Sequence, residues 1–268
     1  MRAPKLLAIV NVTPDSFSDG GRYFSPADAV EQAERLIDEG ADALDLGAES
    51  TRPGAAPVDA EEEWRRLEPV LRALRASHPA LPLSIDTMKA AVAGRALDAG
   101  ATFVNDVSGG ADPAMFPLIA RSGCDFVLMH LRGTPATMQS LCDYPDGVAA
   151  GVRAELRAAR ARAGAAGIAK EKVIIDPGLG FAKTAAQSVE LLGALPEFVA
   201  EFGAVLLGAS RKSFIRELDP RRPGPDQRLP GSLAAALIGA GAGVRWLRVH
   251  DVAETRQALA VWEAATKS

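Results

Sequence analysis

The stretch LPLSIDTMKAAVAGRALDAGATFVND, residues 81–106, decides the fold. The short run Leu83–Asp86 reads as a strand, and the Ala-rich segment 88–99 as a helix. Gly100 then stands where a helix wants a left-handed terminus, and Thr102–Asn105 begins the next strand.

The same phrase recurs in both directions along the chain. Strand-like runs fall at Leu6–Asn11, Ala43–Ala48, Leu83–Asp86, Thr102–Asn105, Phe126–His130, Val173–Asp176, Ala204–Gly208 and Val244–Val249. They are Leu-rich or β-branched, as parallel strands buried on both faces require. Helical segments follow at 26–39, 59–77, 88–99, 113–122, 146–166, 186–202, 231–242 and 252–266. Ser25-Pro26 supplies a cap with proline at the first helical position. Gly40, Gly123 and Gly203 repeat the punctuation of Gly100. Eight such units in 268 residues match a (β/α)8 TIM barrel, which takes about 250 residues, and they use 1–268 as a single domain. The rival is an open doubly wound sheet. It lacks its phosphate fingerprint here, since Gly178-Leu179-Gly180 has no third glycine and no Walker-type GxxxxGK[ST] occurs.

Composition narrows the class of function. With 48% hydrophobic and 24% charged residues the chain is an ordinary globular one, and its two cysteines cannot build a disulfide framework. The longest apolar runs are too short to span a bilayer, and no signal-peptide core follows Leu6–Val10, so a cytoplasmic protein is expected. A net charge of −4 argues against broad nucleic-acid binding. The Arg-rich stretch 153–162 reads as a solvated helix face.

In a barrel of this kind the active site gathers at the C-terminal ends of the strands. Those ends carry Asn11, Thr51 with Arg52, Asp86, Asn105, His130, Asp176, Ser210 with Lys212, and Arg248 with His250. One Asp or Asn there is an ordinary helix cap. Lys, Arg and His are not caps, so the whole set needs another explanation. Asp86, Asn105 and Asp176 offer acceptors for a flat heterocycle bearing N–H groups. Arg52, Lys212, Arg248 and His250 offer donors to an anion, with helix N-termini nearby. Two long loops, 11–21 and 49–55, have the length of substrate lids.

These residues fall in recognisable motifs. Asn11-Val12-Thr13-Pro14-Asp15-Ser16-Phe17-Ser18-Asp19-Gly20-Gly21 resembles the first signature of the dihydropteroate synthase family. Glu49-Ser50-Thr51-Arg52-Pro53-Gly54, Ser84-Ile85-Asp86-Thr87, Asn105-Asp106, Asp176-Pro177-Gly178-Leu179-Gly180-Phe181, Ser210-Arg211-Lys212-Ser213 and Arg248-Val249-His250-Asp251 are similar to its later motifs, in the same order. The resemblance implies a barrel transferase of folate biosynthesis that joins 6-hydroxymethyl-7,8-dihydropterin diphosphate to 4-aminobenzoate with the help of Mg2+. It implies that Asp86, Asn105, Met129, Asp176, Phe181 and Lys212 bind the pterin. By the same match Asn11, Arg248 and His250 take the diphosphate, with Asn11 also on the metal, and Asn11, Lys212, Arg248 and His250 form the catalytic group. Phe17, Thr51, Arg52, Pro53 and Ser213 would form the 4-aminobenzoate site, and a homodimer paired through the late helices around 231–266 is implied. Two departures stand out: Ala182 replaces a frequent glycine, and the N-terminus begins almost at the first strand. The latter leaves little chain for the N-terminal hairpin that plugs the barrel bottom in some relatives.

Two other functions fit parts of the pattern. A pterin-dependent corrinoid methyltransferase would explain the ring-binding acceptors but gives no use to the basic groups. A catalytically idle pterin-binding paralogue would respond to pterin in a thermal shift without turnover.

Overall fold

The computed structural model describes residues 3–13, 25–50 and 57–266. The eight predicted strands form one parallel sheet: β1 (Lys5–Asn11), β2 (Ala43–Gly47), β3 (Leu83–Asp86), β4 (Phe103–Asp106), β5 (Asp125–Met129), β6 (Val173–Asp176), β7 (Leu206–Leu207) and β8 (Trp246–Val249). Each strand pairs with its sequence neighbour except across one gap, and β1 pairs with β8. A parallel bridge between Ile175 and Val205 spans the gap between β6 and β7, so the ring closes as a barrel.

The surrounding helices are α1 (Pro26–Asp38), α2 (Ala60–Ser77), α3 (Ala90–Asp98), α4 (Met115–Ser122), α5 (Val148–Ala165), α6 (Ala185–Gly193), α7 (Leu195–Phe202), α8 (Ser213–Leu218), α9 (Leu229–Ala242) and α10 (Val252–Thr266). Local chemistry sets their ends. Ser25 caps α1 in a reciprocal box with Asp28, and Pro26 occupies the first turn. Gly40 and Gly100 take positive φ where the chain turns from helix to strand.

Two expectations are corrected. The segment 186–202 is two helices, because the chain turns at Ala194 and Pro196 opens α7. The stretch between β7 and α9 contains the short helix α8, which no cap or glycine signals. The arginines of 153–162 lie on a solvated helix face as expected, where Arg153 and Arg157 pair with Glu201 on α7.

Alternation along the strands separates two apolar regions. Leu6, Ala8, Val10, Leu44, Leu46, Ile85, Val104, Leu128 and Ile175 belong to the core that packs against the helices. Leu7, Ala43, Phe103, Val127, Ile174, Leu206 and Trp246 form a second cluster inside the ring. Phe103 meets Trp246 edge to face with centroids 5.4 Å apart. This second cluster is the floor of the barrel.

Candidate active site

Two residues beyond the floor, on the same strands, the interior turns polar. Ala43 is followed by Asp45, Phe103 by Asn105, Ile174 by Asp176, and Trp246 by Arg248. Since i and i+2 share a face of a strand, these groups form the next layer toward the strand ends.

Arg248 organises one half of that layer. Its Nε lies 2.6 Å from Asp45 Oδ2 and its Nη2 lies 2.7 Å from Asp86 Oδ2. Asn105 Nδ2 donates to the same Asp45 oxygen at 2.9 Å. Burial opposes the arginine charge, but Asp45 and Asp86 outweigh it and hold the guanidinium firmly protonated. Burial in turn pushes the Asp86 carboxyl well above the usual carboxylate range, against the pull of Arg248. Asp45 is fully buried, and its Oδ1 has no hydrogen-bond partner among the described residues.

The other half surrounds Asp176 and Lys212. Asp176 Oδ1 accepts from Gly178 N at 2.7 Å, and burial raises the carboxyl above its ordinary pKa. Gly178 itself must be glycine: its φ is +69°, and a Cβ there would meet the His130 carbonyl oxygen at 2.2 Å. Lys212, just before α8, donates to the Leu179 carbonyl and holds its Nζ 4.3 Å from the Phe181 ring centroid. Burial lowers the Lys212 ammonium to about 8, with Asp176 pulling the other way.

The structure therefore brings Asp86, Asn105, Asp176, Phe181, Lys212 and Arg248 to the mouth, with Met129 buried at the end of β5. Ser213 begins α8 beside Lys212. His250 follows β8, its Nδ1 3.0 Å from Ser210 Oγ, and Asn11 ends β1. Phe17, Thr51, Arg52 and Pro53 lie outside the described residues. The base of the second loop is nevertheless built firmly. Glu49 accepts from Val58 N at 2.9 Å and from Lys89 Nζ at 2.7 Å, and Lys89 also pairs with buried Glu63 at 2.7 Å.

Arg248 is held in place through its Nε and Nη2 by Asp45 and Asp86, and its side chain remains 21% exposed. Asp45 itself was missed, because it sits inside a strand and not at its end. Its signal was present, as the one charged residue in the apolar run Ala43–Ala48. Behind the mouth, His130 is buried between Glu155 and Lys183. A cavity of about 350 Å³ lies between the end of β5 and α5, lined by Met129, His130, Glu155 and Arg162.

As for magnesium, no cluster of three or more His, Cys, Asp or Glu among the described residues could hold a metal ion. The amide oxygen of Asn11 is a hard oxygen ligand that suits a hydrated Mg2+ held mainly by its waters and by substrate phosphate oxygens.

Comparison with known proteins gives the chain's relatives. Residues 7–250 match the family described as Pterin binding enzyme. The chain is 44% identical over 261 residues to dihydropteroate synthase of Escherichia coli K12, covering 97% of this chain and 91% of the relative. The Xanthomonas albilineans dihydropteroate synthase with 4-aminobenzoic acid superposes with a TM-score of 0.91 at 46% identity, covering 99% of this chain and 94% of that one. The same enzyme in complex with 7,8-dihydropteroate gives a TM-score of 0.88 at 43% identity, with 99% and 95% covered.

Proposed function

The chain belongs to the pterin-binding enzyme family, and on that premise we propose that the polar layer at its barrel mouth catalyses dihydropteroate synthesis. Its activity is that of a transferase of folate biosynthesis: 6-hydroxymethyl-7,8-dihydropterin diphosphate and 4-aminobenzoate give 7,8-dihydropteroate and diphosphate. The observation that carries this reading is the set of buried Asn105 and Asp176 with half-buried Asp86 and Lys212 at the barrel mouth. Acceptors at strand ends and a donor just before α8 suit the N–H edge and ring oxygen of a pterin.

Asp176 accepts from the 2-amino and N3–H groups of the ring, and Lys212 donates to its oxygen. Held in this way, the reacting methylene is oriented by groups of the barrel itself. The bond from that carbon to the diphosphate oxygen breaks first, with its electron pair leaving on diphosphate. The electron-rich dihydropterin shares the resulting positive charge, so the step is dissociative, of S_N1 type. The lone pair of the arylamine then forms the new C–N bond, and the amine proton passes to solvent. An amine of such low basicity needs no dedicated general base. His250, Asn11 and Arg248, on the neighbouring strands β8 and β1, take the diphosphate. Bound with the diphosphate, Mg2+ would stabilise the charge on the leaving group. Phe17, Thr51, Arg52, Pro53 and Ser213 would receive 4-aminobenzoate.

A homodimer is part of the same proposal. Helix α9 carries no charged residue, and it exposes Ala234 and Ile238, while α10 exposes Val261. Ile238→Asp with Val261→Asp should convert a dimer to monomer in sedimentation. No helix among the described residues is long and apolar enough to cross a membrane, and we place the enzyme in the cytoplasm.

The test is incubation with both substrates and Mg2+. Dihydropteroate and equimolar diphosphate are expected. Methyl transfer to a corrinoid, or pterin binding without product, would overturn the reading. Single-turnover diphosphate release without 4-aminobenzoate is expected of the dissociative step, and strict dependence on the amine would contradict it.

A further inference from the structure

We propose that Lys183, backed by His130 and Glu155, is a positioning residue that locks the left-handed turn at Ala182 and so holds Phe181 at the pterin subsite. The inference rests on the functional reading above and adds a part to it.

The loop between β6 and α6 makes an unfavourable choice. Ala182 has φ +49°, in the left-handed region where a Cβ crowds the neighbouring carbonyl, and it is fully buried. Something must hold it there. Tyr144 Oη donates to the Ala182 carbonyl at 3.0 Å, and Lys183 Nζ donates to the Phe181 carbonyl at 2.7 Å. The carbonyls on either side of the turn are thus both gripped.

Lys183 does not act alone. Its Nζ lies 2.9 Å from His130 Nδ1, and His130 Nε2 lies 2.9 Å from Glu155 Oε2. With burial lowering the Lys183 amine to about 7, its N–H groups serve both acceptors in either protonation state: Nζ donates to Nδ1 and to the Phe181 carbonyl, and His130 Nε2–H donates to the carboxylate. Arg132 holds the far side of Glu155, at 3.0 Å from its Nε to Oε1, and lays its guanidinium 3.9 Å from the Tyr144 ring centroid. The chain therefore runs from a half-exposed carboxylate on α5 through His130, just after β5, into the loop. Burial pushes His130 down to about 4, which keeps the ring neutral and able to accept from Lys183.

What the lock positions is visible at the other end. The Phe181 ring faces Lys212 at 4.3 Å, and Lys212 also donates to the Leu179 carbonyl in the same loop. If the turn relaxes, both the Phe181 wall and the Lys212 ammonium lose their seats. A buried lysine is a costly group to keep merely as filler. One of its acceptors, the Phe181 carbonyl, is in the loop, and the other, His130 Nδ1, anchors the lysine outside it.

The test compares Lys183→Met, Ala182→Gly and the double variant in the full chain, by amide hydrogen exchange and by titration with 6-hydroxymethyl-7,8-dihydropterin diphosphate. Losing a buried donor that serves two acceptors in Lys183→Met should weaken binding several-fold, up to about tenfold, and speed exchange across residues 178–184. Glycine adopts the left-handed turn without penalty, so the same replacement in the Ala182→Gly background should cost distinctly less. Unchanged exchange and affinity, or equal losses in both backgrounds, would overturn the inference. Glu155→Gln, at the half-exposed end, should shift both readouts less and in the same direction, and it serves if Lys183→Met fails to fold. Wild-type protein that does not bind the pterin would instead overturn the functional reading, whereas exchange reports on the lock by itself.

Discussion

The floor and the mouth of this barrel are built from the same strands, two residues apart. Phe103, Ile174 and Trp246 close the floor with apolar side chains, while Asn105, Asp176 and Arg248 make the layer above. Both layers are largely buried, yet they answer different needs. The floor gains from removing apolar area from water, at about 25 cal/mol per Å². The mouth bears the expense of burying charge, which only pairing and hydrogen bonds offset. Asp45, Asp86 and Arg248 show the offset at work, since each carboxylate meets one edge of the same guanidinium. The difference teaches where stability and chemistry part within one cross-section.

Breaking the mouth should have the larger effects. Arg248→Met strands Asp45 and Asp86 without a counter-charge and should cost about 3–5 kcal/mol of stability, with loss of turnover. Urea unfolding and the product assay measure the two, and a variant as stable as wild type would show that the three groups are not coupled. Lys212→Met should weaken pterin binding about tenfold or more, by removing a charged donor. The pH dependence has a definite sign. Burial lowers the Lys212 pKa to about 8, so its charge is present below that pH and lost above it. Wild-type pterin affinity should therefore fall as pH rises through about 8, and that limb should vanish in Lys212→Met. At the floor, Ile174→Val should cost only about 0.5–1.5 kcal/mol and leave pterin affinity unchanged. A floor variant that alters affinity would dissolve the distinction between the layers.

How much of this could be read from sequence follows the same division. The β3–α3–β4 unit was legible because an apolar run, an Ala-rich helix and Gly100 are local signals. The strand-end residues Asp86, Asn105, Asp176 and Lys212 were legible because barrel geometry gathers strand ends. Helix α8 was not, being six residues long without a cap. Nor was the break between α6 and α7, since Leu191, Leu192 and Leu195 continue one apolar pattern across it. The pairing of Arg248 with Asp45 joins residues 203 positions apart, and only closure of the barrel brings them together. Lys183 and Glu155 were missed for the same reason: each has meaning only through His130, on a third element.

The account's central claim is that the charged layer at the mouth is the pterin site, and Asp176 tests it most directly. Calorimetric titration of wild type and Asp176→Asn with 6-hydroxymethyl-7,8-dihydropterin diphosphate should show at least about a tenfold loss of affinity, from charge-assisted bonds contributing roughly 1.5–3 kcal/mol each. Equal affinity in the two proteins would contradict the claim.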